Sequence, residues 1–142
     1  MARSWKALLA GAATAVIANG FVGVVGAQET VFVATTAIVE HPALDATRDG
    51  VRDELEANGY EEGKNLRFEY ESAQGNPATA AQIARKLVGA KPHVIVPIST
   101  PSAQAVVAAT KDIPVVFTAV TDPVGAKLVS DPKKPGGNVT GV

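Results

Sequence analysis

Short polar side chains follow three apolar segments of this 142-residue chain, and their chemistry suits a small zwitterionic ligand. Hydroxyls and the free N–H groups of a helix N-terminus stabilise a carboxylate, whereas an acidic side chain pairs with an ammonium group. Thr100 and Asp122 could instead cap helices, and Asp45 could simply favour a first helical turn. The candidate ligand-binding residues are Glu40, His41, Asp45, Ser99, Thr100, Ser102, Gln104, Thr118, Thr121 and Asp122.

The two histidines are assigned different roles from their positions. His41 stands beside Glu40 in a predicted loop, where it is either a ligand contact or a cap or turn residue. His93 precedes an apolar run, and its position predicts a structural role at the opposite edge of the sheet. The histidines are not spaced as a ligand pair and the chain has no cysteine, so neither a metal site nor a cofactor is predicted.

Signatures of catalysis are missing from the sequence. It contains no G-x-S-x-G motif, no phosphate-binding glycine loop, and no G-x-G-x-x-G after the first predicted strand. Ligand binding is therefore predicted rather than turnover. Two other hypotheses stay open: an exported enzyme or enzyme subunit with Glu40, His41 and Asp122 as acid–base groups, and a stand-alone sensory or interaction module. The net charge of −1, without a basic stripe, argues against a nucleic-acid partner.

Alternating strands and helices must position these side chains. Short β-branched or apolar runs predict strands, and apolar residues at helical spacing predict the helices between them. The predicted strands are residues 30–35, 66–70, 94–98 and 113–118. We predict an α/β fold with a doubly wound parallel sheet in strand order 2-1-3-4. The carboxyl ends of strands one, three and four then form one rim of the sheet, and this rim carries the candidate residues.

Proline and cap residues mark the predicted helix starts. The first helix begins near Pro42, and Thr100 is predicted to cap the third helix, with Pro101 at its first position. A further short helix is predicted to begin at Pro123. Residues 139–142 are predicted to begin another extended segment.

Residues 1–27 have the layout of a secretory signal peptide. Arg3 and Lys6 form a short positive region, residues 7–26 are apolar, and small residues precede a cleavage position after Ala27. A transmembrane anchor is the alternative, because the stretch is about long enough to span a bilayer. Its alanine, glycine and threonine content favours the signal peptide. Residues 28–142 are therefore predicted to be one periplasmic domain, which carries no lipid anchor because cysteine is missing.

Six motifs stand in the chain in a familiar order. They are I-V-E-H-P-A-L-D-A-T-R-D-G at 38–50, G-Y-E-E-G-K-N at 59–65, A-Q-G-N at 73–76, T-P-S-A-Q at 100–104, F-T-A-V-T-D-P-V-G-A at 117–126 and K-P-G-G-N-V-T-G at 134–141. Together they make the chain resemble the ABC-transporter substrate-binding proteins of the tryptophan-binding type, across the whole of residues 28–142. A single one of these motifs would carry little weight.

The resemblance implies an extracytoplasmic binding protein, not an enzyme. Members of this family have two α/β lobes joined by a hinge, hold a small molecule in the cleft, commonly an aromatic or other hydrophobic amino acid, and deliver it to a membrane permease. The positions that carry over are Glu40 to Pro42 with Asp45, Ser99 and Thr100 with Ser102 to Gln104, and Thr118 to Asp122.

Family members are longer than this chain, so we expect residues 28–142 to be the N-terminal lobe alone, a fragment that lacks the second lobe. We also expect this lobe to bind no amino acid tightly by itself, because closure of two lobes normally buries the ligand.

Overall fold

The structure, a computed structural model, describes residues 29–142. The predicted signal peptide at residues 1–27 lies outside the described residues. Within residues 29–142, no helix combines the length and the apolar character that a membrane crossing needs.

Five parallel strands and three helices make up the described part of the chain. The strands are β1 (Val31–Ala37), β2 (Leu66–Ser72), β3 (Val94–Ile98), β4 (Val115–Phe117) and β5 (Val139–Gly141). The helices are α1 (Pro42–Ala57), α2 (Pro77–Gly89) and α3 (Thr100–Ala109). The sheet order is β2-β1-β3-β4-β5, which confirms the predicted doubly wound parallel sheet and its 2-1-3-4 order. The segment predicted as extended at residues 139–142 is β5, which pairs with β4.

Strand β1 pairs with β2 on one side and β3 on the other and sets the register of both. Thr35 lies opposite Tyr70 of β2 and opposite Val96 of β3, so both ladders run parallel and in step with β1. Residues 32–37 of β1 are all buried, as expected for a parallel strand that is covered on both faces. The carboxyl ends of β1 and β3 therefore meet at one edge, where Ala37 lies opposite Ile98.

The two faces of the sheet are covered by different helices. On one face, Leu87 of α2 and Val106 of α3 pack with Ile95 and Phe117 in the larger apolar cluster. On the other face, α1 packs Val51 and Leu55 against a smaller cluster that includes Val33. Successive residues of a strand point to opposite faces, and this places α1 opposite α2 and α3.

Local signals account for most helix ends. The Asn76 side chain accepts hydrogen bonds from the N–H groups of Ala78 (2.8 Å) and Thr79 (3.2 Å), and Pro77 follows as the first helical residue. Helix α1 ends at Asn58, and Gly59 takes a φ of +87°. Both ends follow from the sequence, since Asn–Pro and Asn–Gly pairs suit these backbone conformations.

Two predicted helix starts were wrong. Thr100 is the first residue of α3 and Ser99 is its N-cap, because the pairing of Ser99 with Thr118 fixes the backbone one residue earlier than predicted. No helix begins at Pro123. The Asp122 carboxylate accepts the Gly125 N–H (2.8 Å), and the chain closes there in hydrogen-bonded turns.

The fourth strand is shorter than predicted. It covers Val115–Phe117 rather than residues 113–118. The Ile113 N–H donates to the Thr110 hydroxyl (3.2 Å) and Pro114 has no N–H, so neither residue can donate to the sheet. Thr118 forms an isolated bridge with Ile98 beyond the end of the strand.

We predict that Gly141→Ala lowers the free energy of unfolding by about 1–3 kcal/mol, because overpacking a filled site has that cost. A Cβ at Gly141 would overlap the Phe117 ring. Urea unfolding followed by circular dichroism measures the change. Gly50→Ala is the matched control, since no atom lies within 4 Å of its added Cβ. This helix-interior change should raise stability by about 1 kcal/mol. Equal effects of both changes would contradict the close packing of β4 and β5.

Candidate functional site

The rim at the carboxyl ends of β1, β3 and β4 brings the candidate residues to one edge of the sheet. The Ser99 N–H donates to the Thr118 carbonyl (3.0 Å), and the Thr118 N–H donates to the Pro97 carbonyl (3.1 Å). Glu40 follows β1, whose last residue lies opposite Ile98. Predicted residues from three separate loops therefore share this edge, where open parallel sheets bind ligands.

The N-terminus of α3 is the polar centre of the rim. Helix N-termini leave backbone N–H groups without intrahelical acceptors, and no side chain caps those of α3. Ser102, in the first turn, is only 1% exposed. Its hydroxyl and that of Ser99 are buried without a hydrogen-bond partner among residues 29–142. Thr100 lies between them and is half-buried.

These groups can bind an anion. A buried hydroxyl without a partner costs about 1–3 kcal/mol, a cost that an acceptor in the site would remove. Two hydroxyls and the N–H groups of the first turn all donate, and the helix dipole places partial positive charge at the same point. A carboxylate offers two oxygens to such donors and is the chemical group that fits best.

The loop after β4 is held against α3 by one of the predicted residues and is stabilised internally by another. Gln104 donates from its side-chain amide to the Ala126 carbonyl (3.2 Å). Asp122 accepts the Gly125 N–H as described above, so its side chain stabilises a turn within the loop and does not cap a helix. Thr121 is exposed on this loop. The Gln104 hydrogen bond joins the loop to α3, and the Asp122 hydrogen bond stabilises the turn within the loop.

The acidic residues near α1 differ in their ion pairs and hydrogen bonds to the rest of the protein. Asp45 forms an ion pair with Arg48 (3.2 Å). Glu40 is exposed, and its contact with Gln74, between the Glu40 Oε1 and the Gln74 Nε2, is long at 3.5 Å. Glu40 is therefore the carboxylate of this rim that is most available to a ligand ammonium group.

Both histidines accept backbone hydrogen bonds. His41 is the N-cap of α1, and its Nδ1 accepts the Ala43 N–H (3.2 Å). The His93 Nδ1 accepts the Phe32 N–H (2.9 Å) at the opposite edge of the sheet, which confirms the predicted structural role. No group of three or more acidic or histidine side chains within residues 29–142 could hold a metal ion.

A polar cluster beside the rim was missed by sequence reasoning. The Arg48 guanidinium lies over the Tyr70 ring, 4.7 Å from its centroid, and also contacts Asp45 and Asp49. The Tyr70 hydroxyl is buried with no hydrogen bond to any residue that the structure describes. Burial, and after it the charge of Asp45, raise the pKa of Tyr70 above its usual value of 10.0. Pairing of β2 with β1 brings these residues together, and no local pattern indicates it.

An apolar groove on the α1 side of the sheet is distinct from the polar rim. It encloses about 550 Å³ and is lined by Thr47, Gly50, Val51, Glu54, Leu55, Asn58, Tyr60 and Thr118. Thr118 is the only candidate residue in this lining. The groove offers few donors for a charged ligand, so the hydroxyls of α3 are the stronger candidate site for such a ligand.

A family model described as ABC transporter substrate binding protein matches residues 32–142. The chain is also similar to the tyrosine-binding protein of Clostridioides difficile strain R20291, with 51% identity over 104 residues. That match covers 73% of this chain and 30% of the relative. These matches confirm the predicted family.

Solved structures share the fold. A conserved domain protein from Vibrio cholerae matches with a TM-score of 0.79 and 67% identity, over 80% of this chain and 38% of that chain. An ABC domain from Streptococcus pneumoniae in complex with L-Trp matches with a TM-score of 0.77 and 39% identity, over the same shares of the two chains. This chain thus spans less than half the length of these relatives.

We predict that Tyr70→Phe raises the free energy of unfolding at pH 7 by about 1–3 kcal/mol, because it removes a buried hydroxyl that has no hydrogen-bond partner. The raised pKa of Tyr70 contributes stability that is present below pH 10 and is lost as the pH rises through the folded-state value. Unfolding of the variant should therefore depend less on pH above 10 than unfolding of the wild type. Tyr60→Phe, which alters a tyrosine that is 38% exposed, is the control and should keep the wild-type decline. An unchanged decline in Tyr70→Phe would contradict the assignment.

Proposed function

The chain belongs to the family of ABC transporter substrate-binding proteins, and from this premise we propose that residues 29–142 form one wall of an amino-acid-binding cleft. The N-terminus of α3 binds the ligand's carboxylate through the hydroxyls of Ser99, Thr100 and Ser102. Glu40 pairs with the ligand's ammonium group, and Thr118 and Thr121 border the same rim.

One observation carries this proposal: the buried, unpartnered hydroxyls at the uncapped start of α3. Several buried polar side chains elsewhere in the described chain have partners, whereas the Tyr70 hydroxyl beside the rim has none. The Thr35 hydroxyl donates to the Glu69 carbonyl (2.8 Å), and the Asn65 side chain makes two hydrogen bonds in its turn. Polar groups left unpaired at a sheet edge are therefore better explained by a ligand than by folding.

An aromatic amino acid is the proposed ligand. The Streptococcus pneumoniae relative is in complex with L-Trp, and the Clostridioides difficile relative is described as tyrosine-binding. The matches cover 80% and 73% of this chain, respectively. In this proposal the α3 end recognises the part that all amino acids share, and selectivity for the side chain is set largely by the opposite wall.

The wider role follows from the family. The chain contributes the N-terminal lobe, and a second lobe closes over the ligand. The complete protein is exported by the signal peptide at residues 1–27, works in the periplasm, and delivers its ligand to an ABC permease at the membrane. The support for these steps is the family match and the layout of the N-terminal sequence.

The alternative of an exported enzyme gains no support from the geometry. The His41 Nδ1 accepts a backbone N–H, and one Asp122 oxygen is engaged by Gly125. Neither side chain is poised beside a nucleophile in the described residues. The sensory or interaction-module alternative likewise has no specific observation in its favour.

The proposal predicts that Thr100→Val combined with Ser102→Ala weakens binding of L-tryptophan by about tenfold or more, as loss of hydrogen bonds to a charged group should. Titration of the ¹⁵N-labelled chain with L-tryptophan and L-tyrosine, followed by amide chemical shifts, measures the affinity. Ser130→Ala, which removes an exposed hydroxyl, is the matched control and should bind as the wild type does. Tryptamine, which lacks the carboxylate, should bind more weakly than L-tryptophan. Equal affinity of the double variant and the wild type would remove α3 from the site.

A second prediction concerns the absolute affinity. One wall leaves a ligand half-exposed, so this chain should bind tryptophan and phenylalanine only weakly. Calorimetric titration measures the dissociation constants. A sub-micromolar value for either amino acid would contradict a cleft that needs a second wall.

A further inference from the structure

Ser99 has a backbone conformation that suits glycine and not serine. Its φ is 83° and its ψ is 155°, a combination that is essentially restricted to glycine because it has no Cβ. Other non-glycine residues with positive φ, Gln74, Lys91, Ala119 and Lys127, have values of 52–58°. These φ values match the left-handed helical region, which non-glycine residues adopt at lower cost than the region of Ser99. The conformation of Ser99 is therefore the most strained of this group.

Two backbone hydrogen bonds hold Ser99 in this conformation. Its N–H donates to the Thr118 carbonyl (3.0 Å), which ties it to the end of β4. Its carbonyl accepts the Ala103 N–H (3.0 Å), which closes the first turn of α3. The strand pairing on one side and the helix start on the other together impose the strain. A glycine at this position could make both bonds without it.

The Ser99 hydroxyl makes no hydrogen bond that would offset this strain. It is buried and has no partner within residues 29–142. The Ser102 hydroxyl, three residues later at the same helix start, is also buried and unpartnered, and Ser102 is 1% exposed. Both unpartnered hydroxyls therefore belong to the start of α3, one on its N-cap residue and one in its first turn.

We propose that Ser99 lowers folding stability but favours ligand binding: a serine in this strained conformation places a hydroxyl at the start of α3, where it and the Ser102 hydroxyl donate to a bound carboxylate. The inference rests on the proposed function and adds to it a specific role for the serine side chain. Ser99 then makes two separate contributions: its backbone hydrogen bonds stabilise the fold, and its hydroxyl binds the ligand.

The test compares three variants of the chain. Ser99→Gly removes both the strain and the hydroxyl, whereas Ser99→Ala removes only the hydroxyl. Lys91→Gly is the matched control, because Lys91 also has a positive φ (53°) but lies at the opposite edge of the sheet. Urea unfolding by circular dichroism measures stability, and titration of the ¹⁵N-labelled protein with L-tryptophan measures binding.

We expect Ser99→Gly to raise the folding equilibrium constant about fivefold or more, since relief of a glycine-only conformation has at least that effect. Both Ser99 variants should raise the dissociation constant for L-tryptophan about tenfold. Ser99→Ala should have a smaller folding equilibrium constant than Ser99→Gly, because alanine keeps the Cβ that causes the strain. Lys91→Gly should bind L-tryptophan as the wild type does.

Two results would overturn the proposal for Ser99 while the proposed function stands. The first is a Ser99→Gly variant that binds L-tryptophan with the same dissociation constant as a wild type that does bind it. The second is a Ser99→Gly variant that is no more stable than Ser99→Ala. If the wild-type chain shows no saturable shift with L-tryptophan or L-tyrosine, the proposed function fails for this chain and the ligand role of Ser99 fails with it. The unfolding measurements distinguish these cases, because the strain at Ser99 does not depend on ligand.

Discussion

The parallel pairing of β1 with strands on both of its sides is the constraint on which the rest of the structure depends. Thr35 lies opposite a residue of β2 and a residue of β3, which fixes the carboxyl ends of these strands at one level. Loops that are distant in sequence then leave the sheet at one rim. The polar side chains of that rim are neighbours because the backbone ladders align them, and this alignment creates the candidate site.

The same rim contains two buried hydroxyls that have no hydrogen-bond partner in the described chain. The Thr110 hydroxyl accepts two backbone N–H groups at the far end of α3, and Asn138 donates to the Ile113 carbonyl (2.7 Å) near β5. By contrast, Ser99 and Ser102 bury their hydroxyls unpaired at the beginning of α3. One helix thus has a satisfied end and an unsatisfied end, and the difference locates the surface that a ligand would complete.

The lobe is more completely covered on one face than on the other. Helices α2 and α3 pack on the larger apolar cluster, while α1 alone packs on the opposite face and borders an open groove of about 550 Å³. All-parallel sheets are usually covered on both faces. The chain spans 30% of its Clostridioides difficile relative and 38% of the Vibrio cholerae and Streptococcus pneumoniae structures. A lobe that supplies one wall of a cleft is consistent with these proportions.

The sequence by itself determined the elements whose causes are local: the apolar runs of the strands, the Asn76 cap, the Asn58–Gly59 helix end and the order of the first four strands. It also located the polar rim, since right-handed crossovers leave little freedom in where the loops emerge. Only the tertiary structure decided that Ser99 and not Thr100 occupies the N-cap position of α3, that the chain turns at Asp122, and that Arg48 stacks on Tyr70. Two of these depend on contacts between separate strands or helices, whose energies no local pattern contains. At Asp122 the signal was local but ambiguous, because the same residue types can begin a helix or a turn.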